Sequence, residues 1–222
     1  MTPLRLAIFD CDGTLVDSQA DIALAMEAAF AAHALTAPPR AAIRSIVGLS
    51  LSEAIRQLCP DADAEMTASL VQASKDAFRA RRAAGMVEEP LYDGIAALVA
   101  ELDAAGWMLA VATGKSDRGL SHCLERHALT GHFITLQTAD RHPSKPDPSM
   151  IEACLDESGA DRAATVMIGD TAYDMAMAVN AGVRAIGVDW GYHHPDELVA
   201  AGAEAVAGSV GELRLLLKGL EA

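Results

Sequence analysis

Asp10 and Asp12 stand one residue apart in the stretch Leu6 to Ser18, directly after the apolar run Leu4 to Phe9. Gly13 follows and permits a tight backbone turn. Three more polar groups end apolar runs downstream: Thr113-Gly114-Lys115-Ser116, Ser144-Lys145-Pro146-Asp147-Pro148 and Gly169-Asp170-Thr171-Ala172-Tyr173-Asp174. Thr113 brings a hydroxyl and Gly114 a backbone N–H near a helix start, a natural cradle for an anion. If Asp10, Asp12, Asp170 and Asp174 converge, their mutual repulsion calls for a cation. Hard oxygen ligands in a small cluster favour Mg2+. A metal, a lysine (Lys145), a nucleophilic carboxylate and hydroxyl or N–H donors are the equipment of phosphoryl transfer. Each piece alone has an ordinary role as a turn, a helix cap or a solvated residue. Their joint occurrence at successive strand ends is what points to chemistry.

The elements that must position these groups follow from periodicity. Leu4 to Phe9 reads as a strand buried on both faces. From Pro90 onward a helix, glycine, strand rhythm recurs, with strands at Trp107 to Ala112, Phe133 to Gln137, Thr165 to Ile168 and Arg184 to Val188. Helices are expected at Ile95 to Leu102, Leu120 to Leu129, Met150 to Leu155 and Met175 to Val179, with Gly106, Gly159 and Gly182 at three of the closures. Strands alternating with helices imply right-handed βαβ units and an α/β, Rossmann-like parallel sheet covered by helices on both faces. Parallel strands put their carboxyl ends together, so all four polar groups leave one edge.

Between the first strand and this rhythm the pattern is helical throughout, over Gln19 to His33 and Arg40 to Ala84. Ser50 and Asp63 are expected helix caps, and Arg79, Arg81 and Arg82 a solvated helix end. The chain therefore divides into an α/β core, 1–16 and 87–222, and an inserted all-helical cap, 17–86. An insertion beside a ligand-binding edge reads as a lid, with hinges near Leu15 to Gln19 and Ala83 to Glu89. The loop Arg44 to Ser50, with Gly48 between two helices, is expected to reach over the site. His193-His194-Pro195 reads as a polar turn starting a helix rather than a metal pair.

Across its 222 residues the chain is 51% hydrophobic but only 4% aromatic, which suits an aliphatic core of helices on a sheet. The net charge of -14 argues against a nucleic-acid partner. Cys11, Cys59, Cys123 and Cys154 form no Cys-x-x-Cys pair, against a zinc site or redox dithiol. Met1 to Leu6 carries no apolar leader and no run is long enough to span a membrane, so a soluble, cytoplasmic protein is expected. No apolar stripe demands a dimer; a monomer or homodimer is expected.

Asp10-Cys11-Asp12-Gly13-Thr14, Thr113-Gly114, Lys145-Pro146 and Gly169-Asp170-Thr171-x-x-Asp174 resemble, in order and spacing, the four motifs of the haloacid dehalogenase-like hydrolase superfamily. The helical insertion resembles that family's small cap, and the whole most resembles its phosphoglycolate phosphatase-like branch. The resemblance implies that Asp10 attacks phosphorus to form an aspartyl phosphate, and that Asp12 protonates the leaving oxygen and then activates water. It implies that Thr113, Gly114 and Lys145 hold the phosphoryl oxygens. It also implies Mg2+ bound by the carboxylates of Asp10 and Asp170 and the main-chain carbonyl of Asp12, with Asp174 holding waters.

Members that cleave carbon–halogen bonds lack the second aspartate, and phosphonate-cleaving relatives replace it with a cap lysine, so Asp12 favours phosphate ester hydrolysis. The expected substrate is a small phosphorylated metabolite, with phosphoglycolate the first candidate. Arg44 is a candidate to bind its carboxylate, and Lys115 and Arg118, beside Thr113-Gly114, are further candidates. Alternatives with the same core chemistry are a sugar phosphomutase, a pyrophosphatase or a nucleotidase. A non-catalytic phospho-ligand-binding protein would have been signalled by loss of Asp10 or Asp12, and both are present.

Overall fold

The structure, a computed structural model, describes residues 4–220. The expectation that no leader precedes Leu6 rests partly on Met1 to Pro3, which lie outside the described residues. The core sheet has six parallel strands: β1 (Leu6–Phe9), β2 (Met108–Thr113), β3 (Thr135–Thr138), β4 (Thr165–Gly169), β5 (Arg184–Val188) and β6 (Ala205–Ala207), in the order β3-β2-β1-β4-β5-β6. β1 is central and wholly buried, as its uninterrupted apolar run requires. Its side chains alternate between two cores. Ala7 and Phe9 pack with residues of helices α5 (Ile95–Ala104), α6 (Asp117–Arg126) and α10 (Val210–Gly219). Leu6 and Ile8 pack with those of α7 (Ser149–Ser158), α8 (Ala172–Ala181) and α9 (Pro195–Ala200).

Register fixes the working edge. Phe9 pairs with Val111 on one side and with Ile168 on the other. Asp10 therefore leaves the sheet level with the ends of β2 and β4, where the strand order reverses and ligands bind in such sheets.

The remaining helices, α1 (Gln19–Ala32), α2 (Arg40–Ser45), α3 (Leu51–Leu58) and α4 (Ala64–Ala83), lie between β1 and β2 and form the cap. They enclose a small core of their own, built from Ala23, Met26, Phe30, Ile43, Ile55 and Leu70. Ser50 and Asp63 cap α3 and α4 by accepting from Glu53 N–H and Met66 N–H, as expected. The two connections run side by side: Asp17 N–H donates to Pro90 O at 2.9 Å and Tyr92 N–H to Leu15 O at 3.0 Å.

Several boundaries differ from the sequence reading. Leu4 is exposed and β1 begins at Leu6; β2 runs on to Thr113; β3 starts at Thr135 rather than Phe133. α6 begins at Asp117, three residues early, because Ser116 caps it by accepting from Gly119 N–H. β6 and α10 were not expected, since a three-residue edge strand carries too little periodicity to read. No helix of the described residues is long and apolar enough to cross a membrane.

Candidate active site

Asp10, Asp170 and Asp174 offer carboxylate oxygens that all lie within 4.8 Å of one another, each side chain fully buried. Lys145 enters this cluster with its Nζ 3.0 Å from Asp10 Oδ1 and 2.6 Å from Asp174 Oδ1. Burial works against the Lys145 charge, but Asp10 and Asp174 more than offset it and hold the ammonium above the usual lysine range. One cation does not balance three carboxylates. Burial pushes Asp10 up to about 7; Lys145 draws it down while Asp174 and Asp12 push it further up. Burial, with Asp174 and Asp10 beside it, likewise raises Asp170 well above the usual carboxylate range.

Local backbone and short polar side chains aim these groups. Asp10 Oδ1 accepts from Cys11 N–H at 2.7 Å. Asp170 accepts from Thr14 Oγ1 at 2.7 Å and from Tyr192 N–H at 2.9 Å. Asp174 Oδ2 accepts from Thr171 Oγ1 and N–H, closing a capping box that starts α8. Gly13, at φ +86°, lets the β1 loop pass so close to Asp170 that a Cβ there would overlap its carboxylate.

Asp10 Oδ2 is buried with no hydrogen-bond partner. An orphaned buried carboxylate oxygen, inside a cluster with excess negative charge and hard oxygen donors, fits a divalent metal ion. The Asp12 carboxylate is not part of the triad. It turns to the cap side, where Oδ1 accepts from Ser18 Oγ and lies 2.8 Å from Lys115 Nζ.

Thr113 ends β2 fully buried, its Oγ1 accepting from Lys115 N–H at 3.3 Å. Gly114 is obligatory in space rather than in dihedral: a Cβ there would come within 2.5 Å of Leu49 O and 2.7 Å of Gly48 O. The loop from Arg44 to Ser50 thus does descend onto the core. Ser50 N–H donates to Ser144 Oγ at 2.8 Å, beside the Lys145 loop, and Gly48 faces Thr171.

Arg44 departs from its expected place against a substrate carboxylate. Its guanidinium donates to Tyr192 O at 2.9 Å and Gly191 O at 2.6 Å, outside the cavity over Asp12. It docks the cap on the core, together with Tyr173 Oη and His193 Nε2, which both donate to Ser45 O at 3.1 Å. His194 caps α9, as a polar turn should. Arg81 and Arg82 also depart from the solvated reading. Arg81 pairs with buried Asp21 at 2.7 Å and Arg82 with Glu89 at 2.6 Å, whereas Arg79 pairs with exposed Asp76 as expected of a solvated helix end. Thr14, Ser18, Glu89 and Tyr192 were missed. Thr14 and Ser18 lie inside the first polar stretch, so proximity was their only signal.

The cavity between cap and core is about 1420 Å3 and is lined by Asp12, Gly114, Lys115 and Lys145 on the core side and by α3 and α4 residues on the cap side. A parallel sheet carries a helical insertion after β1, and buried carboxylates and a lysine converge at its carboxyl edge, the arrangement of an α/β fold with an acidic site under a cap. The model of the haloacid dehalogenase-like hydrolases matches residues 7–188, and the chain belongs to that family.

Among its relatives, the chain is 37% identical over 215 residues to the probable phosphatase IndB of Dickeya dadantii (strain 3937), covering 94% of this chain and 91% of that one. It is 28% identical to a phosphoglycolate phosphatase of Vibrio cholerae, with 96% of both chains covered. It superposes on the crystal structure of a predicted phosphatase from Clostridium acetobutylicum with a TM-score of 0.88 at 27% identity, over 98% of this chain and 99% of that one.

Proposed function

We propose that this protein hydrolyses small phosphate monoesters through a phosphoryl group carried on Asp10, with Mg2+ at the carboxylate cluster. The observation that carries the reading is the buried Asp10 oxygen without a partner, next to Lys145 and Asp170. Asp10 and Asp170 would hold the cation, helped by the main-chain carbonyl of Asp12, with Asp174 behind. When bound, the cation neutralises the carboxylates and draws charge from the phosphoryl oxygens.

The chain's own groups do the rest. An Asp10 oxygen forms a bond to phosphorus as the ester P–O bond breaks, and the Asp12 carboxyl gives its proton to the departing oxygen. Asp12, now a carboxylate, takes a proton from the water that attacks the phosphorus. Phosphate leaves and Asp10 is restored. Lys145, Thr113 Oγ1 and Gly114 N–H would hold the phosphoryl oxygens while this occurs. The cap loop over Gly114 keeps bulk water from the transfer step.

Phosphoglycolate is the first substrate to test, because relatives across nearly the whole chain carry that name. The cavity has room for larger esters, and in a chain of net charge -14 its lining still carries more basic than acidic side chains: Arg56, Arg79 and Arg82 are paired with carboxylates, and Lys75 and Arg118 lie on it besides. Leaving groups with an anionic substituent suit it. The test is Mg2+-dependent phosphate release from phosphoglycolate, hexose phosphates, nucleoside monophosphates and pyrophosphate. Release from phosphoglycolate above the others supports the branch-level reading. Preference for another ester reassigns the substrate, and no release from any overturns the hydrolase.

A further inference from the structure

A chain of ionic contacts, half-buried at Arg82 and buried from Glu89 inward, leads from the cap to Asp12. Arg82, near the end of α4, lies 2.6 Å from Glu89 Oε2; Glu89 Oε1 lies 2.6 Å from Lys115 Nζ; Lys115 Nζ lies 2.8 Å from Asp12 Oδ1. The Glu89 side chain is 2% exposed and that of Lys115 8%, so these are not solvent-screened surface pairs. Glu89 sits on the second connection between cap and core. Its backbone is held in the left-handed region at φ 38°, rare for a residue other than glycine. Two further contacts pin it there: His127 Nε2 donates to Glu89 O at 2.8 Å, and Arg126 donates to Val87 O at 2.7 Å. An outlier fixed from several directions, beside a reacting group, is where function is to be sought.

The geometry gives each connection a hold on the same oxygen. Ser18, at the head of α1, donates to Asp12 Oδ1 from the first connection. Glu89 acts from the second through Lys115, whose ammonium bridges Glu89 and Asp12. Lys115 was a candidate for a substrate carboxylate; both of its observed ionic partners are instead protein carboxylates. Arg81 offers a contrast on the same connection. It pairs with Asp21, whose Oδ2 accepts from Glu88 N–H, and this pair has no contact with Asp12.

We propose that Glu89 is a positioning residue: by holding Lys115 against Asp12 it sets the Asp12 carboxyl where it meets the leaving oxygen, and through Arg82 it ties that placement to the seated cap. The proposal rests on the hydrolase reading above. It assigns Glu89 no contact with the phosphoryl group, so its loss should be felt only where Asp12 moves a proton, and in the first transfer that is the departure of the leaving oxygen.

The experiment compares the rate of the first phosphoryl transfer, in single turnover, for an alkyl phosphate and for p-nitrophenyl phosphate. The alkoxide needs a proton as it leaves, whereas p-nitrophenolate does not. Glu89→Gln keeps the size of the side chain and removes its charge. The expected result is a ~10- to 100-fold slower transfer from the alkyl ester, the scale of a misplaced reacting group, with the p-nitrophenolate burst within about twofold of wild type. Glu89→Asp should recover part of the loss. Arg81→Gln, which loosens the same connection away from Asp12, should affect both esters alike. Equal slowing of both esters by Glu89→Gln, no slowing of either, or the same ester split in Arg81→Gln overturns the proposal. A wild-type protein that releases no phosphate from either ester overturns the hydrolase reading itself.

Discussion

The core and the cap hold their parts of the cavity by different means. In the core, sheet register sets where Asp10, Thr113 and Asp170 emerge, and short-range backbone bonds such as Cys11 N–H to Asp10 and the Thr171 capping box aim them. The cap touches the same site through long-range contacts between side chains and loops: Arg44 on the carbonyls of Gly191 and Tyr192, Ser50 on Ser144, Arg82 on Glu89. Backbone register cannot be changed one side chain at a time, whereas such contacts can. The carboxylate end of the cavity is therefore rigid by construction, and the cap end is adjustable.

If that division is right, core substitutions should stop chemistry and cap substitutions should retune it. The largest effect is expected from Asp10→Asn, which removes the carboxylate proposed to attack: divalent-dependent phosphate release should fall to background while the circular dichroism spectrum is unchanged. Lys145→Met leaves buried carboxylates uncompensated. It should lower activity by at least ~100-fold, and lower the denaturant-measured stability of the cation-free protein by about 3–5 kcal/mol.

Gly114→Ala probes the junction of the two regions. Its Cβ meets backbone carbonyls of the cap loop, which cannot rotate away. KM should rise and kcat fall, while stability stays within about 1 kcal/mol of wild type, because the clash is relieved by lifting the loop. Stability within that range and unchanged kinetics would mean that the loop does not seat during turnover.

A fourth prediction uses pH. The folded pKa of Asp10, about 7, lies above its ordinary value of 3.8. The folded, cation-free protein therefore binds this proton more tightly than the unfolded chain does. The Asp10 contribution to its stability should be lost as pH rises from about 4 to about 7, and Asp170, raised by the same burial and neighbours, acts in the same direction. A divalent ion competes with the same proton, so the rise in Tm on adding Mg2+ should be larger at pH 8 than at pH 5. A rise independent of pH would place the cation elsewhere.

The smallest kinetic effect is expected from Arg44→Ala. It removes hydrogen bonds that an exposed arginine makes between cap and core and should cost about 0.5–1.5 kcal/mol. Its kinetic effect should be similar for phosphoglycolate and for esters without a carboxylate. A loss confined to carboxylate-bearing esters would return Arg44 to the substrate.

The same division explains what could be read from the chain. Asp10, Thr113, Lys145, Asp170 and Asp174 each follow an apolar run or a turn signal, so their convergence was implied once the sheet was read as parallel. The loop around Gly48 was legible because a glycine between two short amphipathic helices near the site has few other uses. Glu89 and Arg82 were not legible: an acidic residue before Pro90 and an arginine at a helix end look solvated, and only the folded chain brings Arg82 to Glu89 and Glu89 to Lys115. Arg44 is the complementary case. Its charge and its loop were right for an anion, but its partners are backbone carbonyls, which leave no mark in sequence.

The central claim, that Asp10 carries the phosphoryl group, is tested most directly by acid-quenching the enzyme during turnover of a phosphate monoester with Mg2+ and mapping the label by mass spectrometry. The account predicts a single acid-stable, hydroxylamine-labile phosphoryl group on the peptide containing Asp10, absent in Asp10→Asn and absent without the cation. Phosphate release at the wild-type rate from Asp10→Asn, or a phosphoryl group on any other residue, would contradict it.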